Sequence, residues 1–135
     1  MLANTASHSE GVSFFLPDEA ATARLGARLA GVVRPGDVIA LTGDLGAGKS
    51  ALARAFINAL RLPSGALASE PVPSPTFTLV QTYERDPATV WHFDLYRLAA
   101  AEEVIELGWD EARDGGILLV EWPDRLGPLA PRDRL

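Results

Sequence analysis

A glycine-rich octapeptide, Gly43–Ser50 (GDLGAGKS), constrains the fold of this chain more than any other part of its sequence. It fits the pattern G-x-x-x-x-G-K-[ST], the phosphate-binding P-loop, in which glycines let the backbone approach a phosphate closely. The pattern has this meaning only between a strand and a helix. Both are predicted here, because the apolar run Asp37–Leu41 leads into it and Ser50–Leu60 follows with apolar residues at helical spacing. The sequence therefore predicts a strand, a phosphate-binding turn and a helix in direct succession.

Lys49 is the only lysine of the chain, and the other eleven basic residues are arginines. We infer that lysine is kept here because a compact ammonium fits between phosphate oxygens, whereas guanidinium is a broad planar fork. Lys49 would contact the β- and γ-phosphates, and the Ser50 hydroxyl would bind Mg²⁺. Backbone N–H groups of the motif would surround the phosphates. The predicted nucleotide-binding residues are thus Gly43, Asp44, Leu45, Gly46, Ala47, Gly48, Lys49 and Ser50.

The chain has 135 residues, enough for one domain, which we assign to residues 11–135. Residues 1–10 are small and polar, and we expect them to be disordered. Apolar residues make up 47% of the chain and charged residues 22%, as is usual for soluble proteins. Cysteine is absent, and no apolar run approaches the length that crosses a membrane. These features favour a cytoplasmic protein.

The net charge of −6 argues against nucleic-acid binding through a broad basic surface. The acidic residues are concentrated between Ala101 and Arg125, where eight carboxylates face two arginines. This region is either a solvated helix face or an acidic surface that docks a basic partner, and the sequence leaves both interpretations open. The eight are Glu102, Glu103, Glu106, Asp110, Glu111, Asp114, Glu121 and Asp124.

Hydrophobic periodicity predicts strands and helices on both sides of the P-loop. The predicted strands are Val12–Leu16, Asp37–Leu41, Thr76–Tyr83, Val90–Tyr96 and Ile117–Val120. The predicted helices run from Asp18 to before Pro35, over Ser50–Leu60 and over Ala99–Leu107, with a break at Gly108. A proline-rich loop is expected at 61–75 and a hairpin turn at 84–89.

Two carboxylates are candidates for the second half of a nucleotide site. Glu121 ends the apolar run Ile117–Val120, which would point it from the sheet towards a metal. Asp94 lies within His92–Arg97, where alternation places it opposite Phe93. Each could instead be a structural carboxylate at a strand end, and the residue pattern alone does not exclude this.

Three further features carry weaker signals. The hydroxyls of Ser74–Phe77 would reach a γ-phosphate if this were a switch segment, or the segment simply starts the next strand. His92 lacks the spacing of a metal ligand and is assigned a structural role. Trp122 is assigned to packing, although a tryptophan beside Glu121 is also placed to line a nucleotide pocket.

Four segments together resemble the TsaE (YjeE) family, the small ATPase of bacterial tRNA threonylcarbamoyladenosine biosynthesis. In order they are Gly43–Ser50 (GDLGAGKS), Ser74–Phe77 (SPTF), His92–Arg97 (HFDLYR) and Glu121–Asp124 (EWPD). The last two are far more specific than the P-loop, and the resemblance runs from about residue 16 to residue 124. It implies an α/β, three-layer P-loop NTPase-like fold with a mixed sheet flanked by helices.

The resemblance also implies ATP and Mg²⁺ as cofactors, and slow hydrolysis that depends on the partner proteins TsaB and TsaD. That pair modifies adenosine 37 of tRNA, so the chain would act on the protein complex and not on RNA directly; alone it would be a monomer or a weak oligomer. Position by position, Lys49 would contact phosphate, and Ser50 with Glu121 would hold Mg²⁺. Asp94 would act near the metal or the attacking water, and Thr76 would belong to the switch-like segment. The catalytic residues implied are thus Lys49, Asp94 and Glu121.

The sequence departs from the family in two places. Position 50 is Ser where the family more often has Thr, which supplies the same hydroxyl. The chain also stops soon after Asp124, where relatives continue, so we expect C-terminal strands of the family to be missing, through a short gene or a truncation. The adenine base is expected near the helix start at Asp18–Thr22.

Two other functions remain as alternatives. A stand-alone small P-loop kinase or NTPase would share the phosphate site, but the chain has no N-K-x-D motif for guanine and no arginine-rich lid segment. A nucleotide-gated binding module with negligible hydrolysis would differ from an ATPase only in turnover.

Overall fold

The computed structural model describes residues 2–4, 18–42 and 47–129. Its strands are β1 (Leu2–Asn4), β2 (Val38–Thr42), β3 (Val80–Tyr83), β4 (Val90–Asp94) and β5 (Ile117–Glu121). Its helices are α1 (Glu19–Val32), α2 (Ala47–Ala59), α3 (Glu103–Glu106) and α4 (Trp109–Arg113), followed by a 3₁₀ segment, Pro123–Leu129. Within these ranges no helix has the length and apolar content needed to cross a membrane.

The strands form one sheet in the order β1-β2-β5-β4-β3. The central strands β2, β5 and β4 are parallel, and the outer strands β1 and β3 are antiparallel to their neighbours. Parallel neighbours require long crossover connections, and these contain the helices. The predicted α/β fold with a mixed sheet flanked by helices is confirmed.

Alternation along the strands divides the core into two apolar layers, one on each side of the sheet. We call the side that packs against α1 and α2 the α2 face, and the other the α4 face. The α2 face buries Ile39, Leu41, Val90, Ile117 and Leu119 against Leu25, Leu29, Leu52, Phe56 and Ile57. The α4 face buries Val38, Phe93, Leu118 and Val120 against Val104, Trp109, Ala112 and Leu126. The result is the predicted three-layer arrangement.

The predicted start of α1 is confirmed. The Asp18 carboxylate accepts a hydrogen bond from the Ala21 N–H (2.8 Å), which satisfies one of the free donors at the helix start. Gly26 lets α1 approach α2 closely, since a Cβ there would lie 2.7 Å from the Ala55 Cβ. The two helices therefore pack as one layer over the P-loop side of the sheet.

The predicted strand Thr76–Tyr83 is too long at its start, because β3 begins only at Val80. The preceding residues form a turn in which the Leu79 N–H donates to the Pro75 carbonyl (2.8 Å), and Leu79 has a positive φ of 69°. Phe77 is consequently 84% exposed and does not pack in the sheet. The segment was predicted as a strand because its residue types favour strands, but it forms a turn that begins at Pro75.

Other element bounds also differ from the prediction. The helix expected over Ala99–Leu107 is shorter in the structure, where only α3 (Glu103–Glu106) is α-helical. The N–H groups of Glu103, Val104 and Ile105 donate to carbonyls three residues back, as in a 3₁₀ turn. Gly108 ends the helix as predicted, with a φ of 92°. The helix α4, which was not predicted, follows directly. The strand predicted to reach Tyr96 ends at Asp94.

The N-terminal prediction requires one correction. Residues 1–10 were expected to be disordered, but Leu2–Asn4 pair antiparallel with β2, with Leu2 opposite Thr42. This pairing satisfies backbone groups that β2 would otherwise present at the sheet edge. Residues 5–10 and the predicted strand Val12–Leu16 lie outside the described residues.

Candidate functional site

Three chain segments that are far apart in sequence reach the same edge of the sheet. Because β2, β5 and β4 are parallel, their carboxyl ends lie side by side. Glu121, which ends β5, is in register with Leu41 on one side and Asp94 on the other. Thr42, one residue on, ends β2 and leads into the P-loop. The two candidate carboxylates therefore lie at the edge where β2 ends before the P-loop sequence, and we call it the P-loop edge.

The described part of the P-loop forms the first turn of α2. Gly43, Asp44, Leu45 and Gly46 lie outside the described residues, and Ala47 begins the helix. The first turn contains no acidic residue, so the N–H groups and the positive end of the helix dipole face no competing carboxylate from that turn. Gly48 is exposed and Ser50 half-buried. This helix start is suited to bind an anion.

Lys49 is buried beside an aromatic ring. Its side chain is 3% exposed, and its Nζ lies 3.9 Å from the centroid of the Trp122 ring. Trp122 has a positive φ of 58°, uncommon for a residue with a side chain, and Tyr96 packs on it at 4.9 Å between centroids. Sequence reasoning left the role of Trp122 open, and the structure places it against the P-loop lysine.

Glu121 is held from within the core. It is 3% exposed, and its Oε2 lies 2.8 Å from Nε2 of His92, which is completely buried on β4. The other imidazole nitrogen of His92, Nδ1, is buried with no hydrogen-bond partner. The sequence assigned His92 only a structural role, and no spacing rule in it points to this contact.

Asp94 has both carboxylate oxygens engaged. The Ser74 hydroxyl donates to Oδ2 (2.9 Å), and the Tyr96 N–H donates to Oδ1 (3.1 Å). Thr76 is half-buried, and its N–H donates to the Ser74 carbonyl (2.8 Å). Of the residues in the SPTF segment, Ser74 is thus the one that contacts Asp94, and Thr76 stands next to it in the same turn.

Comparison with known proteins identifies the family. A model of the family described as threonylcarbamoyl adenosine biosynthesis protein TsaE matches residues 16–135. The chain belongs to the TsaE family. The resemblance predicted from the four motifs is therefore confirmed.

The TsaE-family relatives agree over most of this chain. The TsaE protein of Rickettsia conorii is 42% identical over 109 residues, which are 81% of this chain and 59% of that protein. The TsaE protein of Synechocystis is 40% identical over 126 residues, 90% of this chain and 76% of that protein. The chain spans about three fifths of the length of the Rickettsia conorii and Rickettsia felis proteins.

A solved structure has the same fold as this chain. The crystal structure of Bacillus subtilis YdiB matches with a TM-score of 0.67 at 32% sequence identity. The match covers 87% of this chain and 68% of that chain. The two chains therefore share one fold over most of this chain.

The oxygen donors of this TsaE-family site fit magnesium. The Ser50 hydroxyl and the carboxylates of Glu121 and Asp94 offer only oxygen atoms, the ligands that Mg²⁺ prefers. The described ranges contain no group of three or more His, Cys, Asp or Glu side chains that could hold a metal alone. Mg²⁺ usually binds through one or two carboxylates together with substrate phosphates, so this donor set suits a metal that arrives with a nucleotide.

The acidic region predicted between residues 101 and 125 requires a correction. Glu121 does not belong to it, because this residue is buried at the P-loop edge. The other seven carboxylates are exposed. They lie on or near α3, α4 and the 3₁₀ segment, on the outside of the α4 face. We call these seven residues the acidic surface; they are Glu102, Glu103, Glu106, Asp110, Glu111, Asp114 and Asp124.

Proposed function

We propose that this TsaE-family protein binds and hydrolyses ATP with Mg²⁺ at the P-loop edge, as its part in tRNA threonylcarbamoyladenosine biosynthesis. The observation that carries the proposal is the convergence of Lys49, Glu121 and Asp94, from α2, β5 and β4, at one edge of the sheet. The biosynthetic process comes from the names of the family and of the relatives. The enzymatic part rests on the chemistry of the side chains.

Phosphate binding is assigned to the P-loop and the start of α2. The backbone of Gly43–Gly48 would surround the phosphates, and the Lys49 ammonium would exchange its place over Trp122 for phosphate oxygens. Ser50 and Glu121 would hold Mg²⁺, which neutralises charge on the phosphate oxygens. The adenine base would lie near the start of α1, where Glu19 and Thr22 line a groove of about 240 Å³ between α1 and α2.

Water activation is assigned to Asp94. Its two hydrogen bonds, from Ser74 and from the Tyr96 backbone, fix the direction of the carboxylate at the P-loop edge. A carboxylate held in this way can orient a water and take its proton. The hydrogen bond from Ser74 also connects Asp94 to the turn that contains Thr76, the segment assigned to sensing the γ-phosphate. Glu121 is then left to hold the metal.

The partners proposed are TsaB and TsaD, and the compartment is the cytoplasm. The net charge of −6 gives no broad basic footprint for RNA, which favours action on the protein complex. The acidic surface lies on the opposite side of the sheet from α2, so a partner bound there would leave the P-loop helix accessible. Residues 11–135 are proposed to form one domain that is a monomer or a weak oligomer when alone.

The test is ATP hydrolysis by the purified chain, first alone and then with TsaB and TsaD from the same organism. Slow hydrolysis that the pair stimulates, and that Lys49→Ala abolishes, is the expected result. ATP binding without turnover in either condition would favour the nucleotide-gated binding module. Hydrolysis that the pair leaves unchanged would instead favour a stand-alone NTPase.

A further inference from the structure

We propose that His92 is a positioning residue, whose Nε2–H holds the Glu121 carboxylate in one orientation at the P-loop edge. The role that Glu121 then plays rests on the proposed function, but the contact itself does not. His92 would touch neither nucleotide nor metal. It would act only through Glu121, from inside the core.

The register of two strands brings the pair together. His92 on β4 is opposite Leu119 on β5, and Glu121 follows Leu119 by two residues. Residues two apart in a strand point to the same face, so the imidazole and the carboxylate both lie on the α2 face. Their side chains are 0% and 4% exposed and are joined by a 2.8 Å contact. Water therefore does not compete for this bond.

The hydrogen bond defines which imidazole nitrogen carries the proton. An ionised carboxylate only accepts, so the contact requires the hydrogen on Nε2 of His92. Nδ1 is then an acceptor, and it is buried without a hydrogen-bond partner. Burying Nδ1 without a hydrogen bond costs free energy, and the hydrogen bond at Nε2 must offset this cost. The tautomer is thus set by Glu121.

Packing alone does not account for a histidine at this position. Two of the positions next to it on the α2 face, Val90 two residues before and Leu119 opposite on β5, are buried apolar residues. The other two are polar: Asp94 follows two residues later and is buried, and Gln81 lies opposite on the outer strand β3 and is exposed. A wholly apolar side chain would fill this part of the core without an unsatisfied nitrogen. His92 forms its hydrogen bond with Glu121. We infer that this bond is the reason for a polar ring at position 92.

Fixing the carboxylate has a defined consequence for metal binding. A glutamate side chain has several rotatable bonds, and ordering it during binding costs conformational entropy. Partners that hold a metal ligand in place are typically worth 10–100-fold in metal affinity or activity. We therefore expect His92 to increase the Mg²⁺ dependence of ATP binding and to leave Mg²⁺-free binding unchanged.

The first experiment examines the contact without any ligand. Long-range ¹⁵N–¹H NMR of the ¹⁵N-labelled full chain distinguishes the two neutral tautomers of His92. The Nε2–H tautomer is expected. A dominant Nδ1–H tautomer would overturn the proposal, because that form cannot donate from Nε2. This result stands even if the protein proves to bind no nucleotide.

The second experiment compares His92→Gln with His92→Asn, two polar variants of different reach. The amide of Gln extends to about the position of Nε2, whereas that of Asn is one methylene too short. ATP affinity is measured by calorimetry while Mg²⁺ is varied. The Mg²⁺ concentration for half-maximal enhancement should rise roughly tenfold in His92→Asn. It should stay within about threefold of wild type in His92→Gln.

Phe93→Leu is the matched control, since Phe93 is the next residue of β4 but faces α4. It should leave the Mg²⁺ dependence unchanged. A wild-type Mg²⁺ dependence in His92→Asn, or an equal loss in both His92 variants, would overturn the positioning role. His92→Leu replaces His92→Asn if the latter does not fold. A wild-type protein without Mg²⁺-dependent ATP binding would overturn the proposed function. The contact between His92 and Glu121 would still be tested by the NMR result, which does not depend on nucleotide.

Discussion

The two faces of strands β4 and β5 differ in polarity, although both are formed by alternate residues of the same two strands. Towards α2 the strands present His92, Asp94 and Glu121, three buried polar side chains near the P-loop. Towards α4 they present only apolar groups, with Phe93 at 5.1 Å from Trp109 and 6.3 Å from Trp91 between ring centroids. Consecutive residues of β4 thus have different roles: one lies at the proposed nucleotide site and the next packs in the apolar core. Residues for function and residues for stability are therefore separated by the face of the strand and not by distance along it.

The largest effect is expected at Lys49, the cation of the P-loop edge. Lys49→Ala should abolish detectable ATP binding, because Lys49 is the only lysine of the chain and its neighbours Ala47, Gly48 and Ser50 carry no charge. Lys49→Arg keeps the charge but replaces the compact ammonium, and should also lose most of the affinity. Calorimetric titration with ATP measures both variants, with exposed Arg28→Ala on α1 as the control. Unchanged affinity in Lys49→Ala would exclude the P-loop as the nucleotide site.

Phe93→Ala tests the apolar face alone. Phe93 is 0% exposed, and removing such a ring typically costs about 3–5 kcal/mol of unfolding free energy through lost burial and a residual cavity. ATP affinity of the folded fraction should not change, because the side chain points away from the P-loop edge. Urea unfolding followed by circular dichroism gives the first quantity and calorimetry the second. A loss of affinity larger than the unfolded fraction explains would mean that the two faces are coupled.

Asp94→Asn changes the neighbouring residue on the opposite face. Asparagine keeps an oxygen for the Tyr96 N–H and offers an amide to the Ser74 hydroxyl, so the unfolding free energy should change by only about 1 kcal/mol. Hydrolysis in the presence of TsaB and TsaD should fall by about 10²-fold or more, because the carboxylate that takes the proton is gone. Steady-state rates and ATP affinity are measured together. If the variant lost stability as Phe93→Ala does and kept its turnover, Asp94 would be structural.

The same contrast shows which parts of the fold are readable from sequence. Strands β2 and β5 were predicted to within a residue because they are continuous buried runs that only a central strand explains. The turn before β3 was read as a strand because Thr, Phe and Val favour strands. The positive φ of Leu79 that creates this turn has no sequence signal, since leucine rarely adopts it.

The candidate site divides in the same way. Lys49, Glu121 and Asp94 could be placed at one edge from the sequence, because a P-loop and two strand ends imply it. The contact between His92 and Glu121 could not, because it depends on the register of β4 against β5. The position of the Trp122 ring likewise follows from a local backbone conformation. The roles of Gly43–Gly46 and Thr76 stay predictions.

A smaller effect is expected from the acidic surface outside the α4 face. Reversing the charge of Glu102, Glu103 and Glu106 to Lys should weaken association with TsaB and TsaD several-fold at low salt, and less at high salt. ATP affinity should be unaltered, because these residues lie across the sheet from α2. Reversal of two exposed acids elsewhere, Glu84 and Asp86, controls for most of the change in net charge. Unchanged association in a pull-down titration would make the acidic surface plain solvated exterior.

The smallest effect is expected at Tyr83, the other buried group on the α2 face with an unpartnered polar atom in the described ranges. Burial raises the pKa of Tyr83 above its ordinary value of 10.0; the Glu70 carboxylate adds to this, and Arg85 opposes it. The folded state therefore keeps the phenol proton to higher pH than the unfolded state. The stability that follows is fully present below pH 10.0 and is lost as the pH rises through the folded-state pKa.

Tyr83→Phe removes the hydroxyl and this pH dependence together. At neutral pH the unfolding free energy should change by less than about 1 kcal/mol, because no hydrogen bond is lost. Above about pH 10 the variant should be the more stable of the two in urea unfolding. ATP binding and its Mg²⁺ dependence should match wild type, unlike those of His92→Asn. Equal effects at both positions would show that a polar group anywhere on the α2 face influences the P-loop edge, and the specific link between His92 and Glu121 would lose its support.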